Sequence, residues 1–92
     1  MKNMTQEEVM AKLKKMMTKK DCIMRWKMSK DAFKSFSSGV SGFWCKMALK
    51  HCPTAEQAKE EILQYCKDTE PVYLNDKNYL KGLDFAVTEF NQ

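Results

Sequence analysis

Val40 to Cys52, VSGFWCKMALKHC, is a helix-length run that is apolar on almost every side. At about 100° per residue, Phe43, Trp44, Cys45, Met47, Ala48, Leu49, His51 and Cys52 spread over an arc of about 240°. Only Lys46 and Lys50, one turn apart, mark a wet side. A surface helix needs an apolar stripe of only ~100°. The spacing therefore predicts a central helix packed on two or three sides. It is too short, and too interrupted by lysine, to cross a bilayer. Ser37-Ser38-Gly39 and Ser41-Gly42 read as a flexible lead-in with serines able to cap. Pro53 reads as the stop, because the residue before a proline avoids the helical region.

Working outward, Thr5-Gln6-Glu7-Glu8 is a capping box. Its helix is expected to run to about Thr18, with Val9, Met10, Leu13, Met16 and Met17 on one face. Lys12, Lys15 and Lys19 share the opposite side with Glu8. Cys22, Met24, Trp26 and Met28 alternate with Ile23, Arg25 and Lys27, a period of two that suggests a short β element over 22–28. Its one possible extended partner is Pro71–Leu74. Ser29 can cap a short helix to about Phe36, with Ala32, Phe33 and Phe36 inward.

After Pro53, Thr54-Ala55-Glu56-Gln57 is a second capping box. Its helix is expected to reach about Lys67 and to bury Ala55, Ala58, Ile62, Tyr65 and Cys66. Asp68 to Pro71 reads as a loop. Asn75 or Asp76 caps the last helix, where Tyr79, Leu80, Leu83, Ala86, Val87 and Phe90 fall within one ~120° face. Gly82 sits mid-helix at a cost of roughly 1 kcal/mol relative to alanine. Phe85 points to the otherwise polar side. The expected fold is a mainly α single domain over residues 1–92, with about five short helices around 40–52.

The charge is lopsided. Through residue 50, twelve Lys/Arg face four acids, for a net +8; from residue 51 on, four lysines face eight acids, for a net −4. Such asymmetry suits a polyanion partner for the first half, or head-to-tail pairing between copies. The plain alternative is one surface with both signs interspersed. The residues from Met1 to Glu8 lack a secretory pattern and no membrane span is present, so a cytoplasmic protein with reduced thiols is expected.

Cys22, Cys45, His51, Cys52 and Cys66 are zinc-ligand types, but they lack CxxC spacing, so no metal or other cofactor is expected. His51 could serve a cysteine nucleophile. A structural histidine on an apolar helix face is the simpler reading, and a non-enzyme is expected. Gly39-Val40-Ser41-Gly42 lacks the GK[ST] ending of a phosphate loop.

Two binding readings remain. Trp26, Trp44, Phe85 and Tyr73, with eight methionines, exceed what a thin core must hide. Trp26, Phe85 and Tyr73 are the candidates for a protein interface. A larger protein target and a homodimer are the expected partners. Short, motif-free, methionine- and lysine-rich domains are common among phage and mobile-element accessory proteins. An adaptor, or an inhibitor of host machinery or defence, would suit that style. The alternative is nucleic-acid or nucleotide binding by Lys12, Lys15, Lys19, Lys20, Arg25, Lys27, Lys30 and Lys34 around Trp26. With one arginine in that set, little base specificity is expected.

Overall fold

The computed structural model describes residues 4–92 and is mainly α. Helix α1 spans Gln6–Lys19 and runs on through a π-helical turn, Lys20–Met24, into a single α turn, α2, Arg25–Lys27. Helix α3 spans Lys30–Ala48 and α4 Ala55–Thr69; a 3-10 turn, Pro71–Asn75, leads to α5, Lys77–Phe90.

Each long helix starts where a side chain can satisfy its free N–H groups. Thr5 accepts from Glu8 N at 3.1 Å while Glu8 Oε1 accepts from Thr5 N at 3.2 Å, completing the first capping box. Ser29 Oγ accepts from Ala32 N at 3.2 Å, and Thr54 Oγ1 from Gln57 N at 3.1 Å. Of the two candidates for the last cap it is Asp76, whose Oδ1 accepts from Asn78 N and Tyr79 N.

The central stretch belongs to a longer helix than expected. Ser29 opens α3, and Ser37-Ser38-Gly39 and Gly42 are helical residues within it, not a lead-in. Packing explains why glycine is tolerated there. A Cβ on Gly39 would collide with the Tyr79 carbonyl oxygen and lie 3.2 Å from Leu83 N. A Cβ on Gly82 would collide with the Phe36 carbonyl oxygen. The backbones of α3 and α5 therefore meet face to face at two glycines. Aromatic pairs flank the contact, Phe36 with Phe85 at 5.1 Å and Phe43 with Phe90 at 5.8 Å between ring centroids.

The stop also differs from the proline rule. Lys50 takes a left-handed φ of 60°. His51 N bonds Lys46 O at 3.0 Å and Lys50 N bonds Met47 O at 3.3 Å, a Schellman closure with lysine where glycine is usual. Gln6 Nε2 donates to Ala48 O at 3.0 Å, so a side chain of α1 satisfies a terminal carbonyl of α3. His51 and Cys52 lie beyond the helix, and His51 is exposed instead of packed on an apolar face.

α3 and α5 form the central pair. α1 packs against both, α4 packs against both, and α1 and α4 make no substantial contact with each other. α3 thus touches three helices, as its broad apolar arc requires. One continuous buried cluster contains Leu13 and Met16 of α1, Phe36, Val40, Phe43 and Met47 of α3, Ala58, Ile62 and Cys66 of α4, and Leu83, Ala86 and Phe90 of α5. Tyr65, expected inside, is exposed.

The β element expected near residues 22–28 is absent: that segment is helical, and among the described residues there is no strand. Lys20 is buried, and Met24 and Met28 are half-buried, at a spacing of four; Cys22 and Trp26 point outward. An inward face repeating every four residues contains every second alternate position, so it mimics a strand's period of two. Pro71–Leu74, the supposed pairing partner, lies in the 3-10 turn.

Candidate protein-binding surface

The corner between α1 and α3 carries the most exposed tryptophan. The α1 ladder widens at Lys20–Met24, closes with α2, and breaks at Met28, where φ −128° and ψ 153° are extended. Ser29 then starts α3 in a new direction. This places Trp26 at the apex, 80 % exposed, with Ile23 beside it at 42 %. The Arg25 guanidinium lies 5.8 Å from the Trp26 ring centroid. Isolated π turns within helices concentrate at functional sites. Here the turn tucks Met24 and Met28 inward and leaves Ile23 and Trp26 outside.

The structure divides the eight cationic candidates. Lys12 Nζ donates to Gln92 O at 2.8 Å and sits 5.9 Å from the Phe90 centroid. Lys19 pairs with Glu89 at 2.7 Å. Lys20 is only 6 % exposed; its amine lies 3.2 Å from Asp21 and 5.8 Å from the Phe33 centroid. Lys15, Arg25, Lys27, Lys30 and Lys34 are exposed and have no carboxylate partner among the described residues. Four of these five follow one another around the corner.

The other aromatic candidates are partly covered. Phe85 is half-buried against Phe36. Tyr73 is half-buried on Tyr79, with ring centroids 4.7 Å apart. Trp44 is half-buried on α3. Sequence reasoning did not single out Ile23 as an interface residue. Its signal was the four-residue inward repeat, which leaves position 23 outside.

At the opposite end of α1 and α3, an open cleft of about 630 Å³ separates α1 from the start of α4. Val9, Met47, Ala55 and Phe90 line it, with Gln6, Lys50 and Glu56 among its polar residues. Near it, burial pushes the Cys52 thiol up, and a hydrogen bond to Glu61 adds to the effect. Glu61 is held below the usual carboxylate range, first by the Gln57 amide and then by the Cys52 thiol, with Lys46 at 3.4 Å. A thiol kept protonated is a poor nucleophile. Cys22 and Cys45 are exposed free thiols. No cluster of three or more metal-ligating side chains occurs among the described residues, and no helix there is long and apolar enough to cross a membrane.

Compared with protein-family models, with curated proteins and with solved structures, the chain matches none.

Proposed function

We propose that this protein is a small non-enzymatic binding module that docks on a larger protein, as an adaptor or inhibitor does, with Trp26 as its anchor. The observation that carries the reading is the 80 % exposure of Trp26 at a structured corner, beside a partly exposed Ile23. Leaving a large aromatic in water forfeits roughly 1.5–3 kcal/mol of burial, which a partner's pocket recovers. Tryptophan is also the residue type that most often dominates binding energy at protein interfaces. Tyr73 and Phe85, half-covered, would extend the contact rather than anchor it. A cytoplasmic setting, pairing of two copies, and a role for a phage or mobile element against host machinery or defence fit this reading.

The second reading is nucleic-acid binding at the same corner. It is supported by Arg25, which lies beside the exposed ring, and by Lys27, Lys30 and Lys34 on the same stretch of chain, all exposed and without a carboxylate partner among the described residues. Capture from host lysate with the tagged protein, washed at low and at high salt, separates the two. A discrete protein retained at high salt and lost with Trp26→Ala supports docking. Nucleic acid retained only at low salt, and lost when Lys27 and Lys30 become glutamate, supports the second reading, because phosphate contacts release counterions.

A further inference from the structure

The corner finds a complement in a second, oppositely charged segment of the same molecule. Residues 20–34 hold five cations and two acids, a net +3; residues 55–76 hold six acids and two lysines, a net −4. α1 and α4 both rest on the α3–α5 pair without substantial contact with each other, and the two segments adjoin where the Ser35 hydroxyl, just past the corner, bonds the Asp76 carboxylate. The acidic flank has a shallow groove of about 600 Å³ between α4 and the 3-10 turn. Its lining mixes apolar Leu63 and Leu74 with Glu60, Glu61, Gln64 and Lys67. Leu63 and Leu74 are half-buried, so part of each remains open to a visiting side chain. Glu60 is exposed and has no ion-pair partner among the described residues.

We infer that the Trp26 corner of one copy docks into the Leu63–Leu74 groove of a second copy. This deepens the reading of Trp26 as a protein-contact residue and rests on it. Trp26 and Ile23 supply the apolar contact, and Arg25, Lys27 and Lys30 face the carboxylates of α4. The joined surfaces differ, so the contact is heterologous. It leaves one corner and one groove unfilled at each end and builds rings or open chains instead of stopping at a two-fold dimer. Opposite charge at the rim raises the association rate and sets the register, while the buried ring contributes more of the affinity.

Light scattering after size exclusion, from about 10 μM to about 1 mM protein, brackets moderate and weak affinities. The average mass is expected to climb with concentration past that of two chains. Trp26→Ala is expected to weaken the association roughly tenfold or more. The pair Glu60→Lys with Gln64→Lys, both on exposed α4 positions, is expected to do the same. The decisive sample mixes the Trp26→Ala chain with the Glu60→Lys/Gln64→Lys chain. One retains a working groove and the other a working corner, so together they form a 1:1 complex that grows no further. A wild-type chain that stays monomeric throughout overturns the self-docking inference and leaves target docking to the capture experiment. A two-fold dimer indifferent to these substitutions also overturns it. So does association that appears only on adding a single-stranded oligonucleotide or anionic lipid vesicles.

Discussion

Lys50 is the one non-glycine residue with positive φ among the described residues. Its left-handed conformation closes the Schellman turn at the end of α3, where a Cβ costs about 1–2 kcal/mol. Lys50→Gly is therefore expected to stabilise the protein by about 1 kcal/mol, after the extra chain entropy of glycine is set against the relieved strain. For a domain of this size that is a rise of roughly 4–8 °C in Tm, readable by calorimetry. Asp76 makes a different prediction. Its carboxyl is held below the usual range, chiefly by the Tyr79 N–H, with Ser35 and the Asn78 N–H adding to the effect. The folded state thus binds fewer protons than the unfolded state as pH falls through the ordinary aspartate range near ~3.9. The cap's contribution is complete above that value and is lost on acidification towards the lowered folded pKa. Asp76→Ala is expected to cost about 1–2 kcal/mol at pH 7. Urea titrations at descending pH should show the difference from wild type shrinking below about pH 4.

At the scale of elements, the two glycines of the α3–α5 contact invert the usual expectation for a helix. Replacing a helical glycine with alanine ordinarily stabilises by about 1 kcal/mol. At Gly39 and Gly82 the new methyl group meets backbone carbonyls, which cannot rotate away. Gly39→Ala and Gly82→Ala are each expected to destabilise by about 2 kcal/mol or more, as overpacking in a rigid contact does. Gly42 is the control: its added Cβ would meet only the Tyr79 hydroxyl at 3.8 Å and Ile62 Cδ1 at 3.9 Å, which is ordinary contact. Gly42→Ala is expected to leave stability unchanged or raise it by up to about 1 kcal/mol. Equal effects at all three positions in denaturant unfolding would contradict the close approach. The same scale explains the misread corner. The alternation of Cys22, Met24, Trp26 and Met28 was legible, but its meaning depended on whether alternate residues face opposite sides of a sheet or successive four-residue steps of a widened helix. Met24 and Met28 face in together because α1 continues unbroken into the π turn.

For the molecule as a whole, stability and recognition separate by position. Phe43 is fully buried at the centre of the core. Phe43→Ala is expected to cost about 3–5 kcal/mol, from lost burial and the cavity left behind. Trp26 touches so little that Trp26→Ala should change stability by no more than about 0.5 kcal/mol. Fluorescence gives an independent check, since the chain has two tryptophans, Trp26 and Trp44. Iodide should quench Trp26 strongly and the half-buried Trp44 less, and the Trp26→Ala protein should lose most of the quenchable emission. Comparable quenching of both rings would remove the basis for choosing Trp26 as the anchor. The charge halves seen along the chain stay apart in space only in part. Lys19 finds Glu89 and Lys46 finds Glu61 across the two halves, while Arg25, Lys27, Lys30 and Lys34 at the corner remain without a carboxylate partner among the described residues.

What the amino-acid sequence determined by itself is local: the caps at Thr5, Ser29 and Thr54, the last cap narrowed to Asn75 or Asp76, the inward faces of α1, α4 and α5 apart from Met10 and Tyr65, and hence the mainly α class. Each of these depends on residues no more than four positions apart, whose hydrogen bonds and side-chain directions follow from helix geometry alone. Tertiary structure decided the rest. Contact with α5 carries α3 through Ser37–Gly42, where local propensity favours a break. The α3–α5 interface covers much of Phe85 with Phe36, and Tyr79 covers Tyr73, while no neighbouring helix crosses Trp26. Burial of an aromatic is a property of what lies opposite it, and residues distant in the chain supply that neighbour.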